Sequence, residues 1–261
     1  MRKQLSYILC ILLLSGCTAE RYDTQQHVGR ISVALMSDVA VKSPVGLTDA
    51  QAADYNISVL DASGAPAGYA AREDKTGMAM PTVDYKDFET VTVAWNQSYQ
   101  VTAESCTVEE SEEGLGCARY VGNSGLFELN ASNIYEKAEI VCSQTNALVT
   151  VVFDSSVSDR FNDLKVTLES GGRVLEITES ADEVETYFTP AALSYSISGS
   201  YAETSYQVNL SGDPLALEAK DNIRLIVKLD LTHGLAAMPS LTVTEEYASE
   251  VEDDCEIDPY K

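Results

Sequence analysis

The chain of 261 residues is poor in the side chains on which most catalytic sites depend. It contains two histidines, His27 and His233, and a single tryptophan. A Ser-His-Asp triad needs a histidine held between a nucleophile and a carboxylate. His27 lies close to the chain terminus, and His233 precedes Gly234 in a stretch typical of a loop after a strand. The sequence therefore predicts no catalytic residues and a protein that is not an enzyme.

Positive charge is also scarce. Lysine and arginine number 17 against 41 aspartates and glutamates, which gives a formal net charge of −24. Affinity for nucleic acids depends on cationic contacts with the phosphate backbone, and a strongly acidic protein repels those phosphates. The composition therefore excludes nucleic-acid partners and predicts an acidic, well solvated surface.

No apolar run is long enough for a membrane-spanning helix, which takes about 20 residues. The apolar stretch at residues 5–14 follows Arg2 and Lys3 and precedes small residues, as in a secretory signal peptide. The motif Leu-Ser-Gly-Cys at residues 14–17 resembles the bacterial lipobox, in which the cysteine is acylated and becomes the mature N-terminus. We predict cleavage before Cys17 and attachment of lipid, palmitate included, to its thiol.

Few cysteines remain after the predicted signal peptide and the lipidated Cys17 are set aside. An exported chain allows disulfides. Cys106 and Cys117 flank a Glu- and Gly-rich stretch that we predict to be a hairpin tip, so they are the candidate disulfide. Cys142, in a strand-like run, and Cys255, near the C-terminus, stay unassigned. Because no CxxC motif with a nearby histidine is present, we predict no metal and no cofactor.

Alternation of apolar and polar residues at period two, the mark of a half-buried strand, recurs along the chain. The clearest run includes Ile223, Leu225 and Val227. Gly171 and Gly172 predict a tight hairpin turn between two such runs. Helical patterns are rare, and many short strands separated by turns are typical of β-sandwiches. The predicted fold class is all-β.

We place a domain boundary near Asn146, where one strand can close a first sheet and open a second. The predicted organisation is a signal peptide at residues 1–16, a lipidated tether at 17–28, an N-terminal β-sandwich at 29–145, a C-terminal β-sandwich at 146–244, and an acidic tail at 245–261.

Two surface features allow alternative functions. Adjacent glutamates between Cys106 and Cys117 have the chemistry of a glycosidase acid and base. At a solvated hairpin tip, however, all of them would stay ionised. Trp95 offers a ring on which a sugar can stack, but it shares a strand face with Val91 and Val93, which favours a place in the core. Neither feature predicts a site by itself.

Several strand-like segments together resemble a known family. They are residues 29–33, 55–59, 99–103, 120–122, 146–151 and 187–188, with Cys142 between them. These segments are similar to the fimbrillin-like surface lipoproteins of Bacteroides-type bacteria, and most of all to the domain-of-unknown-function 4493 family. The likeness covers roughly residues 29 to 231. The stretch at 107–116 is longer and more acidic than that family leads us to expect.

The resemblance implies two consecutive transthyretin-like Greek-key β-sandwiches and anchoring to the outer membrane, exposed at the cell surface. Thr18 after the cysteine, in place of aspartate, resembles an outer-membrane sorting signal. The implied role is structural, anchoring or adhesive within a fimbria-like assembly, with other subunits bound by strand exchange. Arg72 and Lys75 lie in a loop suited to proteolytic maturation. The alternative is a surface module that binds glycans or proteins.

Overall fold

The computed structural model describes residues 28–37, 45–46, 53–67, 82–157, 160–179, 183–202, 207–230 and 240–247. Strands dominate these residues, and the mainly β architecture predicted from the sequence is confirmed. The predicted signal peptide, Cys17, both histidines, Arg72, Lys75 and Cys255 lie outside the described residues. Within the described ranges, no helix combines the length and the apolar character needed to cross a bilayer.

The first half of the chain builds a nine-stranded sheet. Its strands are β1 (Val28–Ser37), β2 (Val45–Gly46), β3 (Asn56–Asp61), β4 (Val83–Asp84), β5 (Val91–Ala94), β6 (Gln97–Glu104), β7 (Tyr120–Asn123), β8 (Phe127–Leu129) and β9 (Tyr135–Gln144). The order is β2-β1-β9-β7-β6-β3-β4, with β5 paired to β1 and β8 paired to β6. A 3-10 turn (Tyr85–Asp87) follows β4, and a one-turn helix, α1 (Val108–Ser111), lies between β6 and β7.

Alternating side chains of this sheet form one apolar cluster. On β6, Tyr99, Val101 and Ala103 are buried, and they pack in the same cluster as Ile31 of β1 and Ile140 of β9. The alternation follows from strand geometry, in which successive side chains point to opposite faces. The single tryptophan, which the sequence places on one face with Val91 and Val93, follows the end of β5 and is partly buried.

The second half forms two further sheets. The strands are β10 (Ala147–Phe153), β11 (Phe161–Ser170), β12 (Arg173–Thr178), β13 (Glu183–Phe188), β14 (Ala192–Tyr201), β15 (Gln207–Ser211), β16 (Leu215–Ala216), β17 (Asn222–Asp230) and β18 (Ser240–Tyr247). The four-stranded sheet has the order β13-β10-β17-β18. The five-stranded sheet has the order β12-β11-β14-β15, with β16 also paired to β14.

These two sheets share one hydrophobic core. Val149 of β10 and Leu225 of β17 belong to the four-stranded sheet, while Leu168 of β11 belongs to the five-stranded sheet, and all three lie in a single buried cluster. The tight turn predicted at Gly171 and Gly172 is confirmed, since both have positive φ and join the paired ends of β11 and β12.

Every strand pairing among the described residues lies wholly before or wholly after residues 145–146. The two apolar clusters likewise contain no common residue. The division into two domains near Asn146 stays a prediction. We therefore refer below to an N-terminal half, up to β9, and a C-terminal half, from β10 onward.

We expect Leu225→Ala to lower the free energy of unfolding by about 2–5 kcal/mol, because it leaves a cavity in the shared core. The Leu225 side chain is only 1% exposed. Val174→Ala on β12 is the matched control, since Val174 is 56% exposed and its truncation should cost less than about 1 kcal/mol. Chemical denaturation of the two variants measures the difference. Equal losses would contradict the described core.

Candidate functional site

The candidate disulfide cysteines lie in the connection between β6 and β7, residues 105–119, which we call the junction loop. The Sγ atoms of Cys106 and Cys117 are 3.7 Å apart and are not bonded. Cys106 is partly buried, Cys117 is exposed, and Cys142 is buried on β9. The structure thus brings together the two sulfurs that the sequence paired, while the disulfide itself stays a prediction. Lipid attachment to Cys17 also stays a prediction.

The junction loop is the tip of a hairpin, as predicted, because β6 and β7 pair in antiparallel register, but its middle is helical. Thr107 caps α1: its Oγ1 accepts a hydrogen bond from the Glu110 backbone N–H (3.2 Å), and the Glu110 carboxylate accepts one from the Thr107 N–H (2.8 Å). This reciprocal pair is a capping box, which satisfies two backbone donors at a helix start. The sequence signature, Thr-x-x-Glu at 107–110, was available and was missed.

After α1, the junction loop leaves its own sheet and contacts the edge strand β13 of the C-terminal half. The backbone carbonyl of Leu115 accepts hydrogen bonds from the Tyr187 N–H (3.0 Å) and the Thr186 hydroxyl (2.8 Å). The Thr189 N–H donates to the Glu112 carboxylate at 3.1 Å. The acidic loop is therefore not a freely solvated cluster, because at least two of its glutamates have fixed structural partners.

Arg173, at the start of β12, binds the same loop from the other side. Its guanidinium donates to the Gly114 carbonyl in the junction loop and to the Tyr187 carbonyl on β13. It also lies 4.8 Å from the centre of the Phe188 ring, a cation–π contact. Burial lowers the pKa of Arg173. The side chain joins β12, β13 and the junction loop at one point.

Gly116 allows the loop to approach β13 closely. Its φ of +84° lies in the left-handed region that favours glycine. A Cβ at this position would lie 2.6 Å from the Ser111 carbonyl oxygen and 3.2 Å from the Tyr187 Cβ. Both backbone conformation and space therefore select glycine at this position.

Asn146 fixes the base of the junction loop to the point where the chain passes between halves. Its side chain donates to the Cys117 carbonyl (2.8 Å) and accepts from the Arg119 N–H (3.1 Å). Its own carbonyl accepts from the Lys220 N–H at 3.1 Å. Asn146 is 2% exposed, and a buried amide needs such partners because an unsatisfied one is costly. One residue thus links the loop to both halves.

This site has the features of a structural junction. Its polar groups hold backbone to backbone, and the charged Arg119 pairs with Glu104 at 3.0 Å. In the part of the chain that the structure describes, no group of three His, Cys, Asp or Glu side chains is placed to hold a metal ion. The one chemical change that the arrangement favours is oxidation of the two neighbouring thiols.

A second feature is an open cleft of about 420 Å³ in the N-terminal half. Its lining includes the aromatic Tyr85 and Phe88 and the polar Ser32 and Lys86. Lys86 forms ion pairs with Asp54 (2.8 Å) and Asp84 (3.0 Å), and these hydrogen bonds raise its pKa. Aromatic faces beside polar groups can stack on and hydrogen-bond a small ligand. The sequence pattern did not point to this cleft.

A family model described as a domain of unknown function (DUF4493) matches residues 29–259, so the chain belongs to that family. This confirms the family resemblance inferred from the sequence. No curated protein matches the chain.

The chain is also distantly similar to solved structures. The fimbrial anchor protein Mfa2 from Porphyromonas gingivalis has a TM-score of 0.48 at 12% identity, covering 84% of this chain and 97% of that one. A structure described as that of a cell adhesion protein from Bacteroides ovatus has a TM-score of 0.46 at 10% identity, and the match covers 83% of this chain and 95% of that one. A fimbrial assembly protein from Parabacteroides distasonis has a TM-score of 0.46 at 8% identity, and the match covers 84% of this chain and 98% of that one.

We expect Gly116→Ala to destabilise the protein by about 2–4 kcal/mol, since it combines left-handed strain with displacement of the loop from β13. Gly125→Ala is the control, because Gly125 also has positive φ (+70°) but nothing lies within 4 Å of a Cβ there. The control should lose only about 1–2 kcal/mol. Denaturant unfolding of both variants measures the difference. A loss no larger at Gly116 would contradict the close approach.

Proposed function

We propose that this protein is a non-enzymatic lipoprotein of the outer membrane, attached through Cys17 and exposed at the cell surface. Its role in this proposal is structural, anchoring or adhesive, as a component of a fimbria-like assembly. The lipobox motif and the acidic composition support the location. The observation that carries the proposal is the way in which the first strand is built into its sheet.

The strand β1 starts where the predicted tether ends, and it is paired on both sides. It lies parallel to β9 from Arg30 opposite Tyr135 to Ser37 opposite Cys142. On its other side, it pairs with β5 near its start and with β2 near its end. Tension on the tether would therefore act on a strand held by two rows of hydrogen bonds. This arrangement suits a protein that is fixed to a surface by its N-terminus.

The predicted tether is short. Ten residues lie between Cys17 and Val28, and the eleven Cα-to-Cα steps of an extended chain span at most about 3.6 Å each, or roughly 40 Å. A lipid on Cys17 would thus hold the β body beside the membrane surface. Several acyl chains bind almost irreversibly, because burial of each CH₂ contributes about 0.8 kcal/mol.

The C-terminal strand offers an edge to which another subunit can bind. In the described residues, β18 pairs only with β17, in antiparallel register from Ile223 opposite Tyr247 to Asp230 opposite Ser240. An edge strand presents unpaired backbone groups that can accept an added strand. In our proposal, strand exchange with other subunits uses such edges, after cleavage at Arg72 or Lys75.

The anchoring part of the proposal predicts that cells labelled with palmitate incorporate it into the wild-type protein and not into Cys17→Ala. The variant should also leave the membrane fraction, because it lacks the acylated thiol. Cys142→Ala, which alters a buried cysteine of β9, is the control and should be labelled normally. Equal labelling of wild type and Cys17→Ala, or no labelling of either, would contradict anchoring through Cys17.

The assembly part of the proposal has a separate test. Limited trypsin digestion of the purified protein should cut the chain at Arg72 or Lys75. The cleaved protein should then polymerise, and the polymers should give a ladder of bands on a gel. An Arg72→Gln, Lys75→Gln double variant removes both sites and should stay monomeric under the same digestion. Cleavage without polymers would argue against strand exchange as the mode of assembly.

The open cleft supports the second candidate, a glycan-binding module. A glycan array should then give hits that Tyr85→Ala abolishes, because the accessible part of this half-buried ring would stack on a sugar ring. Leu126→Ala is the control: Leu126 is 65% exposed and does not line the cleft. An array without hits, or hits that Tyr85→Ala leaves intact, would remove this candidate.

A further inference from the structure

The junction loop is closed at its base by two thiols and bound at its middle to the other half of the protein. We propose that Cys106 and Cys117 form a disulfide clasp that fastens the junction loop to β13 and so locks the two halves together. The proposal goes beyond the anchoring role, since it concerns how the two halves are joined.

The backbone at both cysteines is already held in place. The Arg119 Nε donates to the Cys106 carbonyl at 3.0 Å, and the Asn146 side chain donates to the Cys117 carbonyl at 2.8 Å. The Cys117 N–H donates to the Ser111 carbonyl at 3.0 Å. A disulfide brings its sulfurs to about 2.05 Å, so closure from 3.7 Å is within reach of side-chain rotation.

The three described cysteines differ in their access to an oxidant. Cys117 is exposed, whereas Cys106 is partly buried and Cys142 is fully buried. Burial raises the pKa of Cys106 and raises that of Cys142 to about 11. Cys117 therefore meets an external oxidant first because it is exposed, whereas Cys142 stays a thiol because it is buried and the thiolate is the reactive form.

The bond forms by two thiol–disulfide exchanges with a disulfide oxidant, either a small molecule or an oxidoreductase of the cell envelope. The Cys117 thiolate attacks one sulfur of the oxidant and expels the other as a thiolate. Cys106 then loses its proton to solvent, attacks the Cys117 sulfur, and expels the second thiolate. Two protein thiols are oxidised to one disulfide, and the oxidant's disulfide is reduced to two thiols.

Closing this ring restricts the groups of the loop that bind the C-terminal half. The Glu112 carboxylate and the carbonyls of Gly114 and Leu115 all lie between the two cysteines, and each binds the C-terminal half. A disulfide restricts the unfolded and undocked forms of the enclosed loop, so it favours the docked form. The Tyr187 N–H, which donates to Leu115, reports on docking directly.

The test uses the purified full chain, fully reduced and then treated with oxidised glutathione under native conditions. We expect intact mass to fall by two hydrogens and peptide mapping to link Cys106 with Cys117. We also expect Tm to rise by roughly 5–10 °C and exchange of the Tyr187 amide to slow at least tenfold. The Cys106→Ser, Cys117→Ser variant should have the Tm and the Tyr187 exchange rate of the reduced wild type, both before and after treatment with the oxidant. Cys142→Ala should respond like the wild type.

Two results would overturn the proposal. In one, the native protein keeps both thiols free, or joins either of them to Cys142, while glutathione oxidises a denatured sample. In the other, the Cys106–Cys117 bond forms but leaves Tm and Tyr187 exchange unchanged. The palmitate experiment can fail or succeed independently of these outcomes, because it tests Cys17 alone.

Discussion

The backbone carbonyl of Leu115 is the acceptor on which the joining of the two halves depends. It receives hydrogen bonds from the Tyr187 N–H and the Thr186 hydroxyl, both on the edge strand β13. An edge strand needs partners for its outward backbone groups, and exposed edges invite unwanted pairing. Here the partner comes from a loop more than 70 residues earlier in the same chain. Arg173 strengthens this contact by binding the loop and the edge strand at once.

A buried polar residue at the base of the same loop has a related role. Asn146 uses its amide oxygen, its amide nitrogen and its backbone carbonyl, and it is almost completely buried. An apolar residue of similar size would leave the Arg119 N–H and the Cys117 carbonyl without these partners. Because unsatisfied buried groups cost about 1–3 kcal/mol each, the amide specifies one arrangement of loop and linker. Thus the position proposed from sequence as a domain boundary is also a hydrogen-bonded crossing point between the halves.

The sequence predicts those features of the fold that depend on neighbouring residues alone. Strand alternation at Ile223, Leu225 and Val227 and the turn at Gly171 have physical causes within a few residues, and both are present in the structure. The nearness of Cys106 and Cys117 followed from a loop that must return to its own sheet. The docking of Leu115 on β13 could not be predicted, because nothing local encodes a partner 71 residues away. The helical turn α1 could have been predicted, because the residues of its capping box are recognisable at 107–110. The many glutamates and glycines around them instead suggested a turn without helix.

The two attachments between the halves bear on the anchoring role that we propose. Tension that enters at β1 passes to β9 through their parallel pairing, and β9 continues through residues 145–146 into β10 at the interior of the next sheet. A covalent linker of two residues would by itself act as a hinge. The junction loop adds a second connection on β13, one strand away from β10, and two separated attachments resist rotation that a single one permits. In the anchoring role that we propose, such a double connection would let the body transmit force from the tether with less bending than the linker alone would allow.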